Sequence, residues 1–123
     1  MVKYLLVLNG LLTLPFGIAA LAMPTALFAQ FGLQLDAAGN LIARGYGATL
    51  VAYGLALLLM RATVDARTVK VLLSSMAAFN AIEAIIQAIA GMEAVAQPVI
   101  FVTVATHAIL CIACLVALSA RTQ

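Results

Sequence analysis

The chain has 123 residues, of which 67% are hydrophobic and 8% charged, with a net charge of +2. A soluble domain carries roughly 25% charged residues, and one this small could not cover its large surface share with so few. Composition therefore excludes an ordinary water-soluble fold and requires lipid around the chain, while the small, scattered positive charge excludes a nucleic-acid-binding face.

Four apolar runs, Val2–Met23, Leu41–Met60, Val71–Ala90 and Val99–Ser119, reach the ~20 residues that a helix needs to cross about 30 Å of hydrocarbon. Backbone groups in lipid must be satisfied within the segment, so helices rather than strands are predicted, over about 2–23, 41–60, 66–90 and 98–119. The first run contains Asn9, Gly10, Thr13 and Pro15, as a packed, bent helix would. Lys3, the apolar run and Ala20-Leu21-Ala22 also outline a leader with an A-x-A cleavage site. The length of the run and its internal polar residues favour a retained span.

After Pro24, the side chains of Leu27, Phe28 and Phe31 share a face up to Gly32, with Gln30 and Gln34 nearby. Either a short helix lying in the interface or a loop tucked over the mouth of the bundle fits this pattern. Asp36–Asn40 precedes the second span, which carries Gly45, Gly47, Ala48, Ala52, Gly54 and Ala56. Gly47 and Gly54 are seven apart and share a face, as do Gly10 and Gly17. Small residues let backbones approach closely in lipid, so this face predicts either tight contact between the first two spans or a homo-oligomeric seam. The short Arg61–Lys70 connection makes the second and third spans antiparallel neighbours. Gly91 suits the end of the third span, and Pro98 the first turn of the fourth. The expected fold is an all-α, antiparallel four-helix transmembrane bundle, one domain over 1–123, with a short interfacial helix after the first span.

Lys3, Arg61, Arg67, Lys70 and Arg121 all fall on one side of such a bundle, and the opposite loops carry Asp36 and Glu93 with no Lys or Arg. That positive-inside asymmetry predicts both termini in the cytoplasm. Arg44 is the exception to the pattern.

The run Pro24-Thr25-Ala26-Leu27-Phe28, then Phe31-Gly32-Leu33, Gly39, Ala43-Arg44-Gly45-Tyr46-Gly47-Ala48 and Gly54-Leu55, resembles small bacterial membrane proteins of the DoxX-like type. It is also similar to related four-helix families of unknown function. The match covers the first half of the chain in its letters and the second half in hydropathy. The resemblance implies a four-helix bundle in the bacterial inner membrane and little about activity. Some DoxX relatives are associated with sulfur or quinone redox complexes, but no redox motif in this sequence carries that over.

Ionisable residues inside a span are costly, face the bundle interior by default and mark function. Glu83 lies about 10 Å and His107 about 12 Å from the outer surface, and Arg44 lies just inside the same side. Asn80, Glu83 and Gln87 form one stripe on the third span, and Thr103, His107, Cys111 and Cys114 another on the fourth. One reading is a polar clamp, Arg44–Glu83 with His107, holding three helices in register, as buried charges are normally tolerated. The other is a cavity lined by Arg44, Asn80, Glu83 and His107 that takes a small amphipathic molecule, lipid or quinone, or relays protons. Cys111-Ile112-Ala113-Cys114 has a C-x-x-C spacing, but a quinone-linked relay needs a second cysteine pair and this chain has two cysteines in all. Two small buried residues are the better account of them. Tyr46 and Tyr53, seven apart, are expected to pack against neighbouring helices.

One His, no G-x-S-x-G, no phosphate-binding glycine loop and no metal-ligand cluster leave no catalytic constellation, so neither cofactor nor metal is expected. Glu83 and His107 alone are too few ligands for a metal. The expectation is a non-enzymatic inner-membrane protein acting as an oligomer or as an accessory of a larger membrane complex. The alternative is a binder or transporter of a small amphipathic molecule, and the third possibility is a thiol redox protein through Cys111 and Cys114.

Overall fold

A backbone surrounded by lipid has to bond to itself, and every regular element among the described residues is helical. A computed structural model describes residues 1–62 and 65–120. Its elements are α1 (Val2–Ala22), α2 (Pro24–Ala29), α3 (Ala37–Leu59) with a 3-10 turn at Met60–Ala62, α4 (Ala66–Met92) and α5 (Ile100–Ser119). Four of them are long and apolar enough to cross a membrane. That is the all-α architecture expected of a four-helix transmembrane bundle. Only 22–33% of the most apolar window in each span is buried. Thr63 and Val64 of the connecting loop and Arg121 of the charge pattern lie outside the described residues.

The chain divides into two compact units, Leu6–Met60 and Met1–Leu5 with Arg61–Gln123. In the first, α1 and α3 run antiparallel with their backbones in close contact. A Cβ placed on Gly17 would meet Val51 N at 2.8 Å and Gly47 O at 3.0 Å. One placed on Gly10, nearer the start of α1, would meet Leu58 Cγ at 2.8 Å and Gly54 O at 3.1 Å. The paired glycines thus form the α1–α3 contact itself. α3 begins one turn ahead of its apolar run because Asp36 caps it, accepting from Gly39 N at 2.7 Å. Pro24 occupies the first turn of α2, where no N–H is needed. Gly32, with φ of 77°, turns the chain after it. The rings of Phe28 and Phe31 stand 6.3 and 6.4 Å from that of Phe16 on α1. The aromatic face of α2 and its turn is therefore packed on α1 rather than spread into lipid.

In the second unit, α4 and α5 lie antiparallel along their length. Asp65 caps α4 through Thr68 N at 2.7 Å. Gly91 falls inside the last turn of α4 rather than beyond it, and a Cβ there would meet Phe101 Cζ at 2.7 Å and Ile100 Cγ2 at 2.9 Å. Its missing side chain makes room for the first turn of α5. The left-handed residue that ends the helix is Ala94, at φ 54°.

Candidate functional site

A polar side chain inside a span needs a partner there, and the α4–α5 unit gathers several of them. Asn80 is 1% exposed, beside the small Ala77 and the core side chain Met76. Its Nδ2 donates to Met76 O, one turn back, at 2.8 Å. That bond fixes the amide so that Oδ1 points across to α5, where it lies 2.8 Å from His107 Nδ1. An amide oxygen only accepts, so Nδ1 carries the proton and donates, and in the neutral ring Nε2 is left as the acceptor. The ring of Phe79 meets the imidazole edge-on at 6.1 Å. A residue of α4 thereby holds the orientation of the sole histidine, and α4 is tied to α5 near mid-span.

Glu83 and Gln87, both half-buried, follow on α4 at one-turn spacing. Gln87 Nε2 donates to Glu83 Oε2 at 2.9 Å, while Gln87 Oε1 is buried with no hydrogen-bond partner. Glu83 sits nine residues before Met92, about 13 Å along the helix, and His107 seven residues after Ile100, about 10 Å. In an antiparallel pair those positions are level, as the sequence spacing anticipates. Thr103, on the same stripe as His107, spends its hydroxyl on Ile100 O at 2.6 Å.

Arg44 belongs to the other compact unit. Its Nη1 donates to Leu21 O at 3.0 Å, and the side chain is exposed. Leu21 is one residue from the end of α1, in the last turn, whose carbonyls have no partner within the helix. A guanidinium there also complements the negative end of the helix dipole. Beside it, Thr25 Oγ1 donates to Asn40 Oδ1 at 2.8 Å, joining α2 to α3, and Asn40 Nδ2 donates to Asp36 O at 2.9 Å.

Cys111 and Cys114 are both free thiols, one turn apart on α5; Cys114 is fully buried and Cys111 half-buried. Cys111 lines a groove of about 310 Å³ between α4 and α5, together with Ser74, Ala77, Ala78, Ala81, Leu115 and Leu118. Sequence reading passed over this groove, although Ser74-x-x-x-Ala78 and Ala77-x-x-x-Ala81 are the small-residue spacing that could have located it. Asn9, read from the sequence as a mark of a packed first span, is the second deeply buried amide, at 2% exposure. Among the described residues no three of His, Cys, Asp and Glu gather where they could hold a metal ion. No protein-family model, curated protein or solved structure matches the chain.

The chain is thus a small multi-pass membrane protein with a polar pair inside one of its helical hairpins and an arginine at the rim of the other.

Proposed function

We propose that this is a non-enzymatic protein of the bacterial inner membrane, with both termini cytoplasmic, acting as an oligomer or as an accessory component of a larger membrane complex. The placement follows from the charge asymmetry of the loops and from the DoxX-like resemblance of the first half of the chain. The groove between α4 and α5 carries the functional reading. Ser74, Ala77, Ala78 and Ala81 leave space for another backbone, and in lipid such fit, rather than hydrophobicity, drives helices together. The polar groups nearby serve this role as a clamp: the bond between His107 Nδ1 and Asn80 Oδ1 holds α4 and α5 in register.

Cys111, on the groove wall, supplies the test. In native membranes a thiol reagent should label Cys111 several-fold more slowly than after dissociation in harsh detergent. Native mass spectrometry of gently extracted protein should show a multiple of 12.7 kDa or a stoichiometric partner. A bare monomer, with Cys111 equally reactive in both settings, refutes the reading.

A second reading is a binder or transporter of a small amphipathic molecule through Asn80, Glu83 and His107 of the α4–α5 unit. Gln87 Oε1 favours it, since a buried acceptor without a partner beside a carboxyl suits a ligand with donor groups. A small molecule retained in the same spectrum, and lost in a Glu83→Gln variant that still folds, would establish this reading over the first.

A further inference from the structure

Residues 6–60 contain two charged side chains, Asp36 and Arg44. Asp36 is spent on the start of α3, where Oδ1 accepts from Gly39 N. Arg44 lies seven residues into the same helix, inside a segment long and apolar enough to span a membrane. A guanidinium offers five N–H donors, and Leu21 O takes one of them. No acceptor among the described residues takes the others, and the side chain is exposed. A cation left facing a bilayer without a counter-charge is costly, and it is relieved by reaching the headgroup layer and an anion there. The bond to Leu21 O holds the guanidinium at the level where α1 ends, which is where such an anion would be.

Below Arg44 the exposed face of α3 carries small side chains. Ala48 and Ala52 follow Arg44 at four-residue steps on the exposed face of α3. Gly45, next to Arg44, faces open space, since a Cβ built on it meets nothing within 4 Å. Leucine or isoleucine at these positions would project into the path that two alanines and a glycine leave clear. The face therefore presents a cation above a shallow apolar track running toward the bilayer centre.

We infer that Arg44 and the Ala48–Ala52 face of α3 bind a phospholipid, the phosphate oxygens accepting from the free N–H groups of Arg44 and an acyl chain lying along the alanines. Net-anionic lipids are preferred, because a zwitterionic headgroup carries its own ammonium to compete for the phosphate. Planar N–H pairs suit phosphate oxygens better than a lysine ammonium does. The inference rests on the chain crossing a bilayer and is independent of any partner at the α4–α5 groove.

The test reconstitutes the protein into phosphatidylethanolamine bilayers containing a minority of phosphatidylglycerol, extracts it gently and weighs the retained lipid by native mass spectrometry. The wild-type protein should retain phosphatidylglycerol in preference to phosphatidylethanolamine. Arg44→Gln should lower that retention about tenfold, the effect of losing a charge-assisted bond, and Arg44→Lys should fall between. Ala52→Phe, which leaves the guanidinium untouched and blocks the track, should also lower it. Arg44→Lys and Ala52→Phe decide the matter if Arg44→Gln fails to fold for want of the bond to Leu21. Equal retention of phosphatidylglycerol in the wild type and in folded variants overturns the inference. Displacement of the lipid by millimolar inorganic phosphate would overturn it too, by making the occupant a soluble anion.

Discussion

Gly47 is the position where a single methyl group should do most damage, and the structure says by how much. A Cβ there would lie 2.6 Å from Leu21 N, 2.8 Å from Gly17 O and 3.0 Å from Ala20 C, all backbone atoms of α1. Ordinary contact begins at 3.4 Å, so α1 must retreat by about 0.8 Å before Gly47→Ala can be accommodated. No side-chain rotamer can absorb this, because the obstacles are main-chain atoms. Forcing a well-packed contact apart costs about 1–3 kcal/mol. Gly45→Ala is the matched control, two residues away on the same helix, where a Cβ meets nothing within 4 Å. It should be neutral, or stabilising by up to ~1 kcal/mol from helix propensity. Reversible unfolding in mixed micelles, with denaturing detergent as titrant and circular dichroism as readout, should separate the two variants by about 1–4 kcal/mol. Equal stability of Gly47→Ala and Gly45→Ala would refute the claim that the glycine contact holds α1 against α3.

Two further outcomes are expected from the α4–α5 unit. A double-mutant cycle of Asn80→Ala with His107→Phe, measured in the same titration, should return a coupling of about 0.6–1.7 kcal/mol, the range for hydrogen bonds between helices in membranes; zero coupling would mean that the bond from Nδ1 to Oδ1 holds nothing. At the start of α4, the hydrogen bond from the Thr68 side chain, then that from its backbone N–H, keeps the Asp65 carboxyl below the usual carboxylate range. The folded state thus binds this proton more weakly than the unfolded one. The stability Asp65 adds is complete above about pH 4 and is lost as pH falls through the lowered value. Asp65→Asn keeps a capping side chain, so its unfolding midpoint should fall less than that of the wild type on acidification below about pH 4. Parallel falls would show that Asp65 is not the titrating cap.

Much of the architecture was legible because the bilayer imposes a simple rule. A run of apolar residues longer than the hydrocarbon is thick has one way to satisfy its backbone, so Val2–Met23 and its three counterparts could be read as helices before any contact was known. Glycines seven apart marked a face for close packing, since spacing on one helix fixes a shared face, but left open whether the partner was the neighbouring span or a second copy; the structure pairs α1 with α3. The polar stripe Asn80, Glu83, Gln87 and the level of His107 were visible as well. What spacing could not supply was which partner each would choose. Asn80 and Glu83 stand on one face with equal claim on His107, and only the bond of Nδ2 to Met76 O turns the amide oxygen toward the imidazole. Arg44 read as a candidate partner for an acid on another helix, and within its own unit its guanidinium donates to the carbonyl of Leu21 in the last turn of α1.

The sequence by itself determined the medium, the number of spans and the faces that pack, because hydropathy and periodicity depend only on the order of residues along the chain. The tertiary structure decided the pairing of polar groups, the open track below Arg44 and the groove beside Cys111. These depend on distances between residues far apart in sequence, and a hydrogen bond or a missing side chain acts only where two helices bring such residues within a few ångströms.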